Sequence, residues 1–106
     1  MTESPLQILN QMDPKLMTLV EESRQLAFSE GALPLKFKIL IAMALDASHG
    51  AVEGVKSLAE AAGREGATNE EIAETLRVTQ FISGVGSLYT SSRALRSLQE
   101  QQRGLG

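Results

Sequence analysis

The sequence predicts an all-α fold, a compact bundle of about five to six helices. Three observations carry that expectation. Apolar residues recur at three- and four-residue spacing in several segments, the signature of a helix with one buried stripe. Two segments open on helix caps, Asp13-Pro14 and Thr68-Asn69-Glu70-Glu71. No segment alternates apolar and polar residues with the period of a strand.

Each element follows in order. A short helix or helical turn is expected over about Pro5 to Gln11. Asp13 then caps a helix whose first residue is Pro14, where the missing N–H costs nothing. Leu16, Leu19, Val20, Ser23 and Ala27 form its stripe, and Gly31 offers a left-handed end near Glu30. Pro34 starts the next helix, LKFKILIAMALDAS, ending around Ser48 to Gly50. It has almost no polar face and is expected at the centre, buried all round. A third long helix, about Ala51 to Ala62, places Ala51, Val52, Val55, Leu58, Ala59 and Ala62 on one stripe. Glu53, Lys56, Glu60 and Arg64 lie on its far side, and Gly63 and Gly66 end it.

Thr68 and Glu71 form a capping box, opening a helix with Ile72, Leu76, Thr79 and Ile82 inward. Ser83-Gly84-Val85-Gly86-Ser87 interrupts or tightens it, and a last helix carries Leu88, Ser92, Leu95 and Leu98 before QEQQRGLG frays.

Composition narrows the function. At 106 residues the chain is long enough for one helical domain, residues 1–106, with a modest core. With no tryptophan and few aromatics, that core rests on Leu, Ile, Val, Ala and gap-filling Met. A net charge of −3 argues against nucleic acid or an anionic membrane surface as a partner. No apolar run is long enough to span a bilayer, and the first residues lack the pattern of a secretory signal, so a cytoplasmic location is expected. The absence of cysteine removes disulfides, thiolate metal sites and thiol nucleophiles.

Chemically useful side chains cluster in one place, Asp46-Ala47-Ser48-His49-Gly50, with Glu53 four residues beyond the only histidine. A histidine beside a carboxylate serves as a general acid or base near neutral pH, so His49, Glu53 and Asp46 are the candidate catalytic residues. The competing reading places His49 at a helix C-terminus, against the macrodipole and the last carbonyls. Gly50 interrupts the spacing that an i,i+4 contact would need. One imidazole and two carboxylates across such a break fall short of a metal site, and no cofactor is expected. Gly84-Val85-Gly86 lacks the preceding strand and third glycine of a dinucleotide loop, so small residues for close helix approach are the better account. Tyr89, on the same stretch, is expected in the core or at a subunit contact.

The order and spacing of residues 33–98 resemble the carboxymuconolactone decarboxylase family, including its alkylhydroperoxidase D-like branch. The resemblance rests on the apolar helix over 35–48, the GATNEEI turn and the small-residue stretch SGVGSLYTSSRAL. Anchored on Gly66-Ala67-Thr68, it places that branch's two cysteine positions on Ala51 and Gly54, its histidine on Leu58 and its glutamate on Ile39. All four carry apolar or small residues, which implies that the thiol peroxidase machinery is gone. It also implies a homotrimer or homohexamer, with contacts through the N-terminal helix or the Gly84 to Ser92 stretch. Two functions follow. One is a non-thiol oligomeric scaffold or binder of a small molecule. The other is a decarboxylase or acid/base enzyme acting on a small acidic or lactone metabolite through His49, with Arg77, Arg93 or Lys38 holding a substrate carboxylate.

Overall fold

Proline, glycine and short polar side chains mark several of the helix ends, among them Asp13-Pro14, Pro34, Gly50, Thr68 and Gly84. The computed structural model describes residues 6–105, and every described element is a helix: α1 Gln7–Met12, α2 Pro14–Ala27, α3 Leu35–Ser48, α4 Val52–Arg64, α5 Asn69–Ser83 and α6 Gly86–Leu105. The all-α expectation holds. Pro5, expected to open the first helix, lies outside the described residues.

Two units follow each other along the chain, one up to Glu30 and one from Gly31. The first is the pair α1 and α2. Asp13 caps α2 as expected, its carboxylate accepting from the Leu16 N–H at 3.1 Å. The helix ends at Ala27, earlier than the expected Gly31. The Phe28 N–H closes on the Arg24 carbonyl, and both the Ser29 N–H and hydroxyl turn to the Leu26 carbonyl. These local bonds end the helix before any left-handed residue is needed. No residue of α2 is buried, and Leu16, Leu19, Val20 and Leu26 are all exposed.

The second unit is built on α3. It packs most extensively on α4 and also on α5 and α6, and α6 packs on α4 and α5 in turn. The core is one stripe from each helix: Ile39, Leu40, Met43 and Ala47; Val55, Ala59 and Ala62; Leu76 and Thr79; Ala94 and Leu98. Met43 is the gap-filler expected of methionine and is wholly buried. Ser87, Thr90 and Ser91 continue the α6 stripe into the core. Most of these hydroxyls bond carbonyls of their own helix or its first turn: Thr79 to Thr75, Ser87 to Gly84, Thr90 to Gly86. These three hydroxyls are thereby buried with a hydrogen bond each, whereas the buried Ser91 hydroxyl makes none among the described residues.

Three expectations need correction. First, α3 is not buried all round, since Phe37, Ile41 and Leu45 face outward. Its apolar character exceeds what three neighbouring helices cover. Second, Ile82, expected inward, is 79% exposed. Third, nothing lies within 4 Å of where a Cβ would stand at Gly84 or Gly86, so close packing within the chain does not account for them. Gly84 instead turns the chain between α5 and α6 with φ 94°. The last helix extends to Leu105.

Candidate functional site

The residues singled out in the sequence lie where α3 hands over to α4. Gly50 adopts φ 77°, a left-handed conformation that a side chain resists. Around it the Ala51 N–H donates to the Asp46 carbonyl at 2.9 Å and the Gly50 N–H to Ala47 at 3.3 Å. This is the paired closure of a Schellman motif. Gly66, with φ 92°, repeats it at the end of α4: Ala67 donates to Ala62 at 2.9 Å and Gly66 to Gly63 at 3.1 Å. Gly63 lies inside α4 and does not end it.

The first turn separates the three candidates. His49 is the C-cap of α3, and its backbone N–H reaches the Leu45 and Asp46 carbonyls at 3.2 Å. Its ring is exposed, which matches the reading of His49 as a helix-terminal residue. Glu53 is exposed in the first turn of α4, where a carboxylate complements the positive end of the helix. Among the described residues, no side-chain hydrogen bond or ion pair joins His49 to Asp46 or Glu53, and no group of three His, Asp or Glu is placed to hold a metal ion. The i,i+4 contact needed a continuous helix, and Gly50 breaks it.

Asp46 behaves differently. It is half-buried, and its carboxylate lies against the Cα of Gly54, filling the space a side chain there would take. A Cβ on Gly54 would stand 2.8 Å from the Asp46 carboxyl carbon. The carboxylate therefore sits beside the first turn of α4, where unpaired N–H groups favour negative charge. Sequence reasoning named Asp46 but paired it with His49. Its real neighbour, eight residues on, is a glycine whose missing side chain makes the room.

The second unit bears two open grooves, and neither includes His49, Glu53, Asp46, Lys38, Arg77 or Arg93 among its lining residues. One, of about 780 Å³, runs between α4, α5 and α6 and is lined by Ala59, Gly63, Ala67, Ala73 and Leu76 among others. Arg64 and Arg96 on its rim pair with Glu60 and Glu100 of their own helices at 3.3 and 3.4 Å. The other, of about 690 Å³, lies between α3 and α5. Phe37, Leu40, Ile41 and Leu45 form one wall, and Val78 and Ile82 lie on the other. Glu71 closes one end. Its carboxylate accepts from Lys36 at 3.0 Å and from the Thr68 N–H at 2.9 Å, completing the capping box. The Thr68 backbone bond, and after it Lys36, hold Glu71 below the usual carboxylate value. This groove went unseen in the sequence. Its signal is the apolar surplus on the outer face of α3.

Residues 14–97 match the model of the carboxymuconolactone decarboxylase family. The chain belongs to that family. A crystal structure of a carboxymuconolactone decarboxylase family protein from Legionella pneumophila, in its apo form, is similar, with 33% sequence identity and a TM-score of 0.81. The likeness covers 90% of this chain and 85% of that one. No curated protein matches the chain.

The family match runs from Pro14 to residue 97, so α2 belongs to the shared pattern along with residues 33–97 of the stretch 33–98 on which the sequence resemblance rests. Within the carboxymuconolactone decarboxylase frame, the positions assigned to the two cysteines are the N-cap of α4, Ala51, and Gly54 in its first turn. Ile39 is buried and Leu58 half-buried. Thiol peroxidase chemistry has no residue to run on here, because the sequence holds no cysteine. No helix among the described residues is long and apolar enough to cross a membrane.

Proposed function

We propose that this chain is a non-thiol member of the carboxymuconolactone decarboxylase family that works as a homo-oligomeric scaffold, a homotrimer or homohexamer in a cytoplasmic setting. The observation that carries this is the outer face of α3 and α5. Phe37, Ile41, Leu45, Val78, Phe81 and Ile82 are all exposed large apolar residues on two adjacent helices. They present on the order of 700 Å² together, above the few hundred Å² that monomers commonly leave exposed in one patch. Such a face is close to the roughly 800 Å² that each partner contributes to a standard interface. Light scattering at micromolar concentration tests the proposal. A mass several times 11.4 kDa is expected, and a monodisperse species at 11.4 kDa would end it.

A second reading, a small-molecule binder, draws on the same groove. Its volume of about 690 Å³ falls in the range of ligand sites, and its apolar walls carry Ser48, Thr75, Ser83 and Glu74 as polar points. An environment-sensitive apolar dye would brighten with the wild-type protein and lose that signal with Val78→Asp.

The acid/base reading through His49 has less support. An exposed imidazole with no carboxylate partner among the described residues lacks the oriented, water-excluding setting that general catalysis uses. His49→Ala is accordingly expected to leave ligand binding and assembly unchanged.

A further inference from the structure

We propose that the α3/α5 groove is filled by helix α2 of a second copy of the chain. This rests on the self-association proposed above and names the surfaces that meet. The groove is formed by two helical stripes, Phe37, Leu40, Ile41, Ala44, Leu45 and Ser48 on α3, and Glu71, Glu74, Thr75, Val78, Thr79 and Ile82 on α5. At 1.5 Å per residue, each stripe runs about 17 Å.

An occupant of that shape is a single amphipathic helix of about three turns with one apolar side. The chain carries one. Leu16, Leu19, Val20, Ser23, Leu26 and Ala27 fall on one side of α2 and extend over about 17 Å, the length of the groove. The α1–α2 unit buries none of them: Leu19 is 63% exposed and Leu26 76%. Within the α1–α2 unit there is no further helix against which to bury them, so this amphipathic helix calls for a partner outside the unit.

Charge agrees with the fit. Lys15 stands at the start of the α2 stripe and Glu74 lines the groove, and neither makes an ion pair among the described residues. A small molecule would fill part of the groove and leave α2 uncovered. A second copy covers both faces at once, and repetition of this unlike contact from copy to copy builds a ring where its rotation closes.

The absence of cysteine makes the test clean. Leu19→Cys and Val78→Cys chains are co-expressed, purified as mixed oligomers, oxidised and analysed by non-reducing electrophoresis with intact mass. Both positions are mostly exposed, so neither substitution disturbs the core. The expected product is a mixed disulfide dimer at twice the chain mass, outnumbering both symmetric dimers.

A dominant Val78→Cys symmetric dimer would overturn the proposal, because the groove would then face its own twin. A Leu19→Cys/Val78→Cys double variant that closes wholly within one chain would overturn it too, placing α2 on its own groove. Light scattering of the same samples separates the two levels. Oligomers without the mixed cross-link defeat the α2 contact alone, and monomers defeat self-association as well.

Discussion

The carboxylate of Asp46 occupies the place of the side chain that Gly54 lacks, with its carboxyl carbon 2.8 Å from the point where a Cβ would stand. The two residues belong to successive helices joined by the Gly50 turn. A glycine in the first turn of a helix is otherwise a weak choice, so the contact explains why it is tolerated.

That relationship predicts a change of sign. In the wild-type background, Gly54→Ala forces Asp46 aside and is expected to destabilise the chain by about 1–2 kcal/mol, net of the helix preference for alanine. In an Asp46→Ala background the space is free, and the same substitution is expected to stabilise by about 0.5–1 kcal/mol. Urea unfolding of the four proteins reads both numbers. Equal effects in the two backgrounds would show that Asp46 and Gly54 do not interact.

The two left-handed glycines should behave alike despite different surroundings. Gly50→Ala and Gly66→Ala each force a side chain into positive φ, and each is expected to cost about 1–2 kcal/mol. Neither has a close neighbour that a methyl group would strike. A thermal scan showing no loss for either variant would remove the Schellman turns from the account of how α3 and α4 end.

The Thr68–Glu71 capping box predicts both a mutational and a pH effect. Thr68→Ala removes the hydroxyl that accepts from the Glu71 N–H at 3.0 Å and is expected to cost about 1 kcal/mol. Glu71 is held below its usual 4.5 by the Thr68 N–H and then by Lys36. Its folded value is the lower one, so its contribution is complete above the unfolded value and fades as pH falls through the folded value. Glu21, lowered by its bond to Arg24, acts in the same direction. Stability should therefore decline as pH drops below about 4.5, and less steeply in Glu71→Gln. Parallel pH profiles for the two proteins would contradict this.

Local chemistry was legible in the sequence, and what depended on neighbours was not. The Asp13 cap, the Thr68–Glu71 box and the helix-ending role of Gly66 each involve residues within a few positions of one another, and each stands as read. The early end of α2 also uses local bonds, yet Ser29 competed with Gly31 for that role, and sequence alone favoured the glycine. Hydropathy stated correctly that α3 has little polar surface. It could not say that Phe37, Ile41 and Leu45 would find no cover within the chain. The pairing of His49 with Glu53 relied on helical spacing through Gly50, and the left-handed turn there changes the direction of the chain. The Asp46–Gly54 contact is signalled only by a missing side chain.

Val78→Asp probes the proposal that the α3/α5 face holds copies of this chain together. Val78 is 67% exposed, so a charge there leaves the core of the single chain intact while placing an unpaired carboxylate in the proposed contact. Light scattering on wild type and variant at the same micromolar concentration is the measurement. A wild-type mass several times 11.4 kDa that falls to 11.4 kDa in Val78→Asp, with helical content unchanged, is the predicted result. A wild-type protein already at 11.4 kDa, or an oligomer that Val78→Asp leaves whole, would contradict it.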